Sequence, residues 1–382
     1  MTRRDLLRYA LLGAGAWVAR PLGAVAASPT GTPVNKGGKG LAAAEQALRT
    51  LIQRCAPIKD DPWALMHGVR ALGKGFTLDE GPAVDYLCAH FLKEKEVAGT
   101  RYLSMPREAE GHANTLLKTF LEAGVDLDHP ITAVGRRRAV GDLVASAKKL
   151  FSFDPTLEPL NNSRDELAWS IIAFSITTKP GQDVWKNAEG REIRFRDVVA
   201  TAFSTVELSS ADFRSAMKRG IMPGWKDRIS NFTCGGTHLI YSLAVAVRYG
   251  HMGEEGRRRL PPLLDLLIWR LKADLYLADR YYEMVATAYQ KSEFLRHYQL
   301  DSRLKFLGHS MEILNYGRLF RLFTPTAAQQ AEIRKATEIL AETILEVSTL
   351  DVVGLRAPKS HLFHLLVGDS CHAYRGLGWR WA

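Results

Sequence analysis

Residues 234–249 read CGGTHLIYSLAVAVRY, a cysteine and two glycines followed by a run that carries no charge until Arg248. The two glycines interrupt what precedes them, and the run beyond has the length and spacing of a helix rather than of a strand. A helix that is apolar on every side is normally buried on every side. Five other stretches share this character, poor in charge and rich in Gly, Ala, Ser, His and aromatic residues: 62–72, 110–121, 165–177, 306–319 and 361–374. Their starts lie 48, 55, 69, 72 and 55 residues apart.

Between these stretches run helices of a second kind, amphipathic and charged, such as 255–282 and 327–345. Each has one polar face and one apolar face, the pattern of a helix that covers a core from outside. No convincing series of alternating strands appears, and the polar segment 187–196 reads as a long loop or a small hairpin. The expectation is an all-α chain with an inner ring of helices inside an outer ring, and the alternation is itself a repeat. Four inner segments also open on a similar phrase: Trp63-Ala-Leu-Met-His67, Cys234-Gly-Gly-Thr-His238, Lys305-Phe-Leu-Gly-His309 and His361-Leu-Phe-His364.

Over residues 40–382 this arrangement resembles the six-hairpin (α/α)6 toroid, the architecture of protein prenyltransferase β-subunits, terpene cyclase domains and several polysaccharide lyases and glycosidases. More narrowly, Glu110-Gly-His112, Cys234-Gly-Gly-Thr-His238 and Gly308-His-Ser-Met-Glu312 are similar to phrases in uncharacterised exported bacterial proteins of that fold. The resemblance implies a fold and an exported location but no activity, because one fold hosts many chemistries. The Asp-x-Asp-Asp acid and Gln/Trp repeats of triterpene cyclases do not occur, nor does the acidic motif beside the Cys and His ligands of prenyltransferases.

The N-terminus reads as a twin-arginine signal over residues 1–27: Arg3-Arg4 before Leu6-Leu7, a short apolar run broken by Gly13, Gly15 and Arg20, and a small-residue stretch ending at Ala27. The run is too short and weak for a stable membrane span after cleavage. Residues 28–40, SPTGTPVNKGGKG, have the composition of a flexible linker. A single domain over 41–382 follows. The expected location is periplasmic or secreted, with the twin-arginine export machinery as a partner.

The formal charge is +10, of which the four arginines and one aspartate of residues 1–27 supply three, leaving +7. With no recognised nucleic-acid module around the basic clusters, this excess points to an anionic ligand or a solvated basic face rather than to nucleic acid. Cys55, Cys88, Cys234 and Cys371 form no close pair. Because a twin-arginine substrate folds in a reducing cytoplasm, mostly free, buried thiols are expected.

In an inner ring, the N-terminal ends of the helices converge on one mouth, bringing unpaired N–H groups and a positive dipole. The expected lining is His67, His112, His238 and His309 with Glu110, Cys234 and His364. Three readings follow. General acid/base chemistry on an anionic or carbohydrate-like substrate would draw on His238, His309, Glu110, His112 and Tyr241, with Tyr316 as an alternative acid. A hydrolase variant would pair carboxylates among Glu110, Glu166 and Glu312. A metal site would use Cys234, His238 and His364, a donor set suited to zinc or copper. A non-catalytic scaffold or ligand-binding ring is the third, with Tyr276, Tyr281, Tyr282 and the terminal Trp379-Arg380-Trp381 as contact surfaces.

Overall fold

The computed structural model describes residues 37–288 and 294–378. The signal, most of the linker and Trp379-Arg380-Trp381 lie outside the described residues. Helix α1 (Gly37–Cys55) begins four residues before the expected domain start. The chain continues through α2 (Pro62–Leu72), α3 (Ala83–Phe91), the short α4 (Arg107–Glu110), α5 (Thr115–Glu122), α6 (Val140–Leu150), α7 (Leu167–Thr177), α8 (Phe195–Ser209) and α9 (Ala211–Lys218). It ends with α10 (Thr237–Arg248), α11 (Gly253–Ala288), α12 (Leu295–Leu319), α13 (Ala327–Val347) and α14 (Ser360–Leu377). The protein is mainly helical.

The helix starts follow local chemistry. Asp61 caps α2 by accepting from the Ala64 N–H at 3.0 Å, with Pro62 in the first turn where its missing N–H costs nothing. Thr326 and Gln329 form a reciprocal capping box at α13. Helix α7, LAWSIIAFSIT, buries residues around its whole circumference. In α13, by contrast, burial follows one stripe through Ala336, Leu340, Ile344 and Val347.

The charge-poor helices pack in succession: α2 on α5, α5 on α7, α7 on α10, α10 on α12, α12 on α14, and α14 back on α2. The amphipathic helices flank them, with α8 on α7 and α10, α11 on α10 and α12, α13 on α12, and α1 on α13 and α14. The α12–α14 pair is close enough that a Cβ on Gly308 would lie 3.0 Å from the backbone of Ala373.

Two expectations are corrected. The inner segment expected at 110–121 is split: Gly111, at φ 73°, ends α4, and Asn114, at φ 68°, precedes α5. The segment expected from 306 starts at Leu295, because Leu300 and Leu304 carry the buried stripe a further turn and more toward the N-terminus. His309 and Glu312 therefore lie in mid-helix.

The described residues also contain four two-stranded antiparallel hairpins. These are β1 (Thr77–Leu78) with β2 (Gly81–Pro82), β3 (Lys93–Val97) with β4 (Thr100–Ser104), β5 (Pro130–Ala133) with β6 (Arg136–Ala139), and β7 (Val184–Lys186) with β8 (Glu192–Arg194). The last settles 187–196 as part of a hairpin. Two turns place both central residues at positive φ, Ala98-Gly99 (48° and 73°) and Val134-Gly135 (51° and 67°), as tight hairpins require. No helix among the described residues is long and apolar enough to cross a membrane.

Candidate metal centre

The turn that delivers Cys234 is left-handed for three residues running, with φ of 50°, 65° and 75° at Cys234, Gly235 and Gly236. Glycine takes this conformation without steric cost, whereas for a residue with a Cβ it costs about 1–2 kcal/mol. The glycines are also needed for space: a Cβ on Gly235 would lie 2.9 Å from Arg270 Nη2, and one on Gly236 would collide with Ile229. Asp165 fixes the turn from outside, its Oδ2 accepting from the Thr233 N–H at 2.9 Å and the Thr233 hydroxyl at 2.6 Å. A strained cysteine held this firmly, just before the first turn of α10, is the kind of outlier that clusters at functional sites.

His238 follows as the second residue of α10, and His309 comes from α12. One ligand atom from each of Cys234, His238 and His309 lies within 4.8 Å of the other two. Both histidines are buried, and Cys234 is partly open. The His309 ring stacks on His372 at 3.6 Å between centroids and meets His238 edge-on at 4.8 Å.

Burial pushes His309 down to about 3 despite the Glu312 carboxylate, and burial, then the neighbouring His309, holds His238 well below the usual histidine range. At neutral pH both imidazoles carry a lone pair and no charge. Asp369 on α14 assigns the His309 tautomer: Nε2–H donates to Asp369 Oδ1 at 3.0 Å, leaving Nδ1 as the lone-pair nitrogen. Behind Asp369, the Lys305 ammonium lies 3.6 Å from its second oxygen and 3.1 Å from Asp301 Oδ2. Burial and the nearby Asp369 raise the Asp301 carboxyl to about 7, against the pull of Lys305.

A second buried polar region adjoins the first through His372. Arg70 donates to Glu122 Oε2 at 3.0 Å and to both Glu312 oxygens at 2.7 and 3.2 Å. Lys118 lies 2.9 Å from Glu122, and Arg375 donates to Glu312 at 2.6 Å and to the Arg70 carbonyl at 2.9 Å. Burial alone would raise Glu122, but Arg70, Lys118 and Arg375 hold it far below the carboxylate range. Burial and then Arg70 push Lys118 down to about 8. His372 Nδ1 sits between Glu312 Oε2 at 2.7 Å and Arg70 Nη1 at 2.9 Å.

The other residues singled out from the sequence are distributed around this pair of regions. Tyr241 donates its hydroxyl to Glu122 at 2.5 Å, with burial and that carboxylate keeping the phenol well above its usual range. Tyr316 meets the Tyr241 ring at 5.2 Å and accepts from Arg248. His67 donates Nδ1–H to the Trp63 carbonyl at 2.8 Å. His112 stacks on Trp169 at 3.7 Å and lies 3.1 Å from Glu166, and Trp169 meets His238 at 5.1 Å. His364 does not join Cys234 and His238; its Nε2 is 2.7 Å from Asp61 Oδ2, tied to the cap of α2, and His309 occupies the third corner instead.

Glu110 faces elsewhere. Its carboxylate accepts from the Asn114 and Leu116 N–H groups at 3.2 and 3.3 Å, and it lines a cleft of about 550 Å³ between α5, α6 and α7. Burial raises Glu110 to about 7 against those backbone bonds. Glu166 lines the same cleft; burial raises it, but His112 and Arg107 bring it down to about 2. None of Cys234, His238 and His309 lines this cleft.

Arg70, Lys118, Glu122, Asp369 and Arg375 were not singled out from the sequence. The signal for them was present: each is a charge inside or just past the end of a segment otherwise poor in charge, and Lys118–Glu122 and Asp301–Lys305 have the one-turn spacing of helical ion pairs. None of the four cysteines is in a disulfide, and Cys55, Cys88 and Cys371 are buried. Comparison of the chain with family models, with curated proteins and with solved structures finds no match, so the chemistry must be argued from these residues.

Proposed function

We propose that this chain is an exported (α/α)6 toroid acting at a metal centre, with zinc or copper held by Cys234, His238 and His309. The convergence of one sulfur and two neutral imidazoles within 4.8 Å carries the reading. Thiolate and imidazole together select zinc or copper over hard cations. Three protein ligands leave one position of a tetrahedral ion for water or substrate, the pattern of catalytic rather than structural zinc. The Asp369 carboxylate behind His309 is the outer partner that ligating histidines commonly have. The cyclic succession of helix contacts supports the toroid. The arginine pair at Arg3-Arg4 supports export to the periplasm or beyond, and the basic balance supports an anionic or carbohydrate-like substrate.

Elemental analysis of protein purified without chelator or affinity-tag metal tests the centre. Near-stoichiometric zinc or copper is expected, lost in Cys234→Ala, His238→Ala and His309→Ala and kept in His364→Ala. A metal-free wild type that takes up neither ion in titration would sink the reading. The His309–Asp369 bond favours one other reading, in which His309 is a general base without metal. That reading gains if activity against a polysaccharide or ester panel survives chelation and disappears in His309→Ala.

A further inference from the structure

We propose that the loop 219–228 docks the protein on an anionic lipid surface. Within five residues it presents Ile221, Met222 and Trp225 to solvent at 45%, 42% and 87% exposure. Soluble proteins leave single apolar residues exposed as a matter of course, but a nearly bare tryptophan beside two exposed aliphatic side chains marks a contact site. Exposed Lys218, Arg219, Lys226 and Arg228 flank them. The one acid of this stretch, Asp227, is 5% exposed, its oxygens accepting from the Phe213 and Arg228 N–H groups at 2.8 and 2.6 Å. The outward charge of the loop is therefore wholly positive.

The loop is braced and does not collapse onto the core. The Ile221 N–H donates to the Ala216 carbonyl at 3.1 Å, Pro223 is buried, and Asp227 ties down the far end. The apolar tips are held out by a fixed backbone. The Lys226 ammonium lies 5.6 Å from the Tyr281 ring, which brings the loop to the C-terminal half of α11, where Met284 is 62% exposed.

A tryptophan and aliphatic tips ringed by Lys and Arg is the combination that partitions into a bilayer interface: the rings sit at headgroup level and the cations meet anionic lipid. A stable protein partner needs about 800 Å² from each side, more than three protruding side chains supply. A short turn, Arg228–Asn231, separates the apolar tips of the loop from the turn carrying Cys234. The proposal does not depend on a metal being bound.

The test is vesicle flotation of the full chain with phosphatidylcholine vesicles, with and without phosphatidylglycerol, beside the triple variant Ile221→Ser, Met222→Ser, Trp225→Ser. Wild type is expected to float with the anionic vesicles, and the variant to partition at least about tenfold more weakly at equal helical content. Brominated lipid should quench a fluorescence component that Trp225→Phe lacks. Equal flotation of the variant, no flotation of wild type, or an unquenched Trp225 would each overturn the proposal. So would a wild-type dimer that the variant converts to monomer, which would assign the patch to a second copy of the chain.

Discussion

Around Arg70, the buried Arg70 and Lys118 and the partly buried Arg375 meet two buried carboxylates, and each reaches an opposite charge at 2.6–3.0 Å. Around Cys234, the partly open thiol meets the buried, neutral imidazoles of His238 and His309, one ligand atom from each lying within 4.8 Å of the others. The first region satisfies itself and needs nothing more from solvent or ligand. The second brings together a sulfur and imidazole nitrogens rather than opposite charges. The contrast separates ion pairs that hold α2, α5, α12 and α14 together from a cluster of uncharged sulfur and nitrogen groups.

The comparison breaks first at Arg70. Arg70→Met removes the cation shared by Glu122 and Glu312 while leaving both carboxylates buried. Breaking a buried pair from one side costs about 3–5 kcal/mol. Urea denaturation at neutral pH should show a loss of that size, with Cys234→Ala far milder in metal-free protein. A loss below about 1 kcal/mol would mean that Lys118 and Arg375 suffice to hold both carboxylates without Arg70.

Glu110 offers a smaller effect with a definite pH signature. Its folded pKa of about 7 stands above the ordinary 4.5. A raised folded pKa means the folded state holds the proton more tightly, so this contribution is full below pH 4.5 and is lost as pH rises through 7. The loss is on the order of 3 kcal/mol. Glu110→Gln keeps an acceptor for the Asn114 and Leu116 N–H groups without the titration. Its stability relative to wild type should rise between pH 5 and 8, and a pH-independent difference would show that Glu110 stays ionised throughout.

The buried helices were legible because an apolar circumference, as in 167–177 and 237–248, has only one comfortable environment. The hairpins were not, since their turns use Ala98-Gly99 and Val134-Gly135 where Asn-Gly is the usual signal. At the site, the one-turn spacing of Cys234 and His238 was readable as a pair. Spacing carries no information about which histidine from another helix completes it. His364 looked equivalent to His309 by position in its phrase, but Asp61, the cap of α2, holds it elsewhere. The paired network escaped notice because its members, Arg70, Glu122, Glu312 and Arg375, are scattered over some three hundred residues and meet only when α14 packs on α2 and α12.

The finest division between the two regions runs through Asp369, a charged residue that serves the uncharged one. Its carboxylate takes the Nε2–H of His309 and thereby leaves Nδ1 as the lone pair. Asp369→Asn keeps the shape and can still accept that hydrogen bond through its carbonyl oxygen, but it removes the negative charge that strengthens His309 as a donor to metal. Loss of such an outer partner typically weakens metal binding 10–100-fold. Stability should change little, because the same substitution also relieves the repulsion between Asp369 and Asp301 that helps raise the latter to about 7. Zinc affinity by competition with a chromogenic chelator, measured beside the urea midpoint, distinguishes the roles. A weaker site in an equally stable protein places Asp369 with the ligands, whereas a large loss of stability at unchanged affinity would place it with Arg70 and Glu312 as a structural charge.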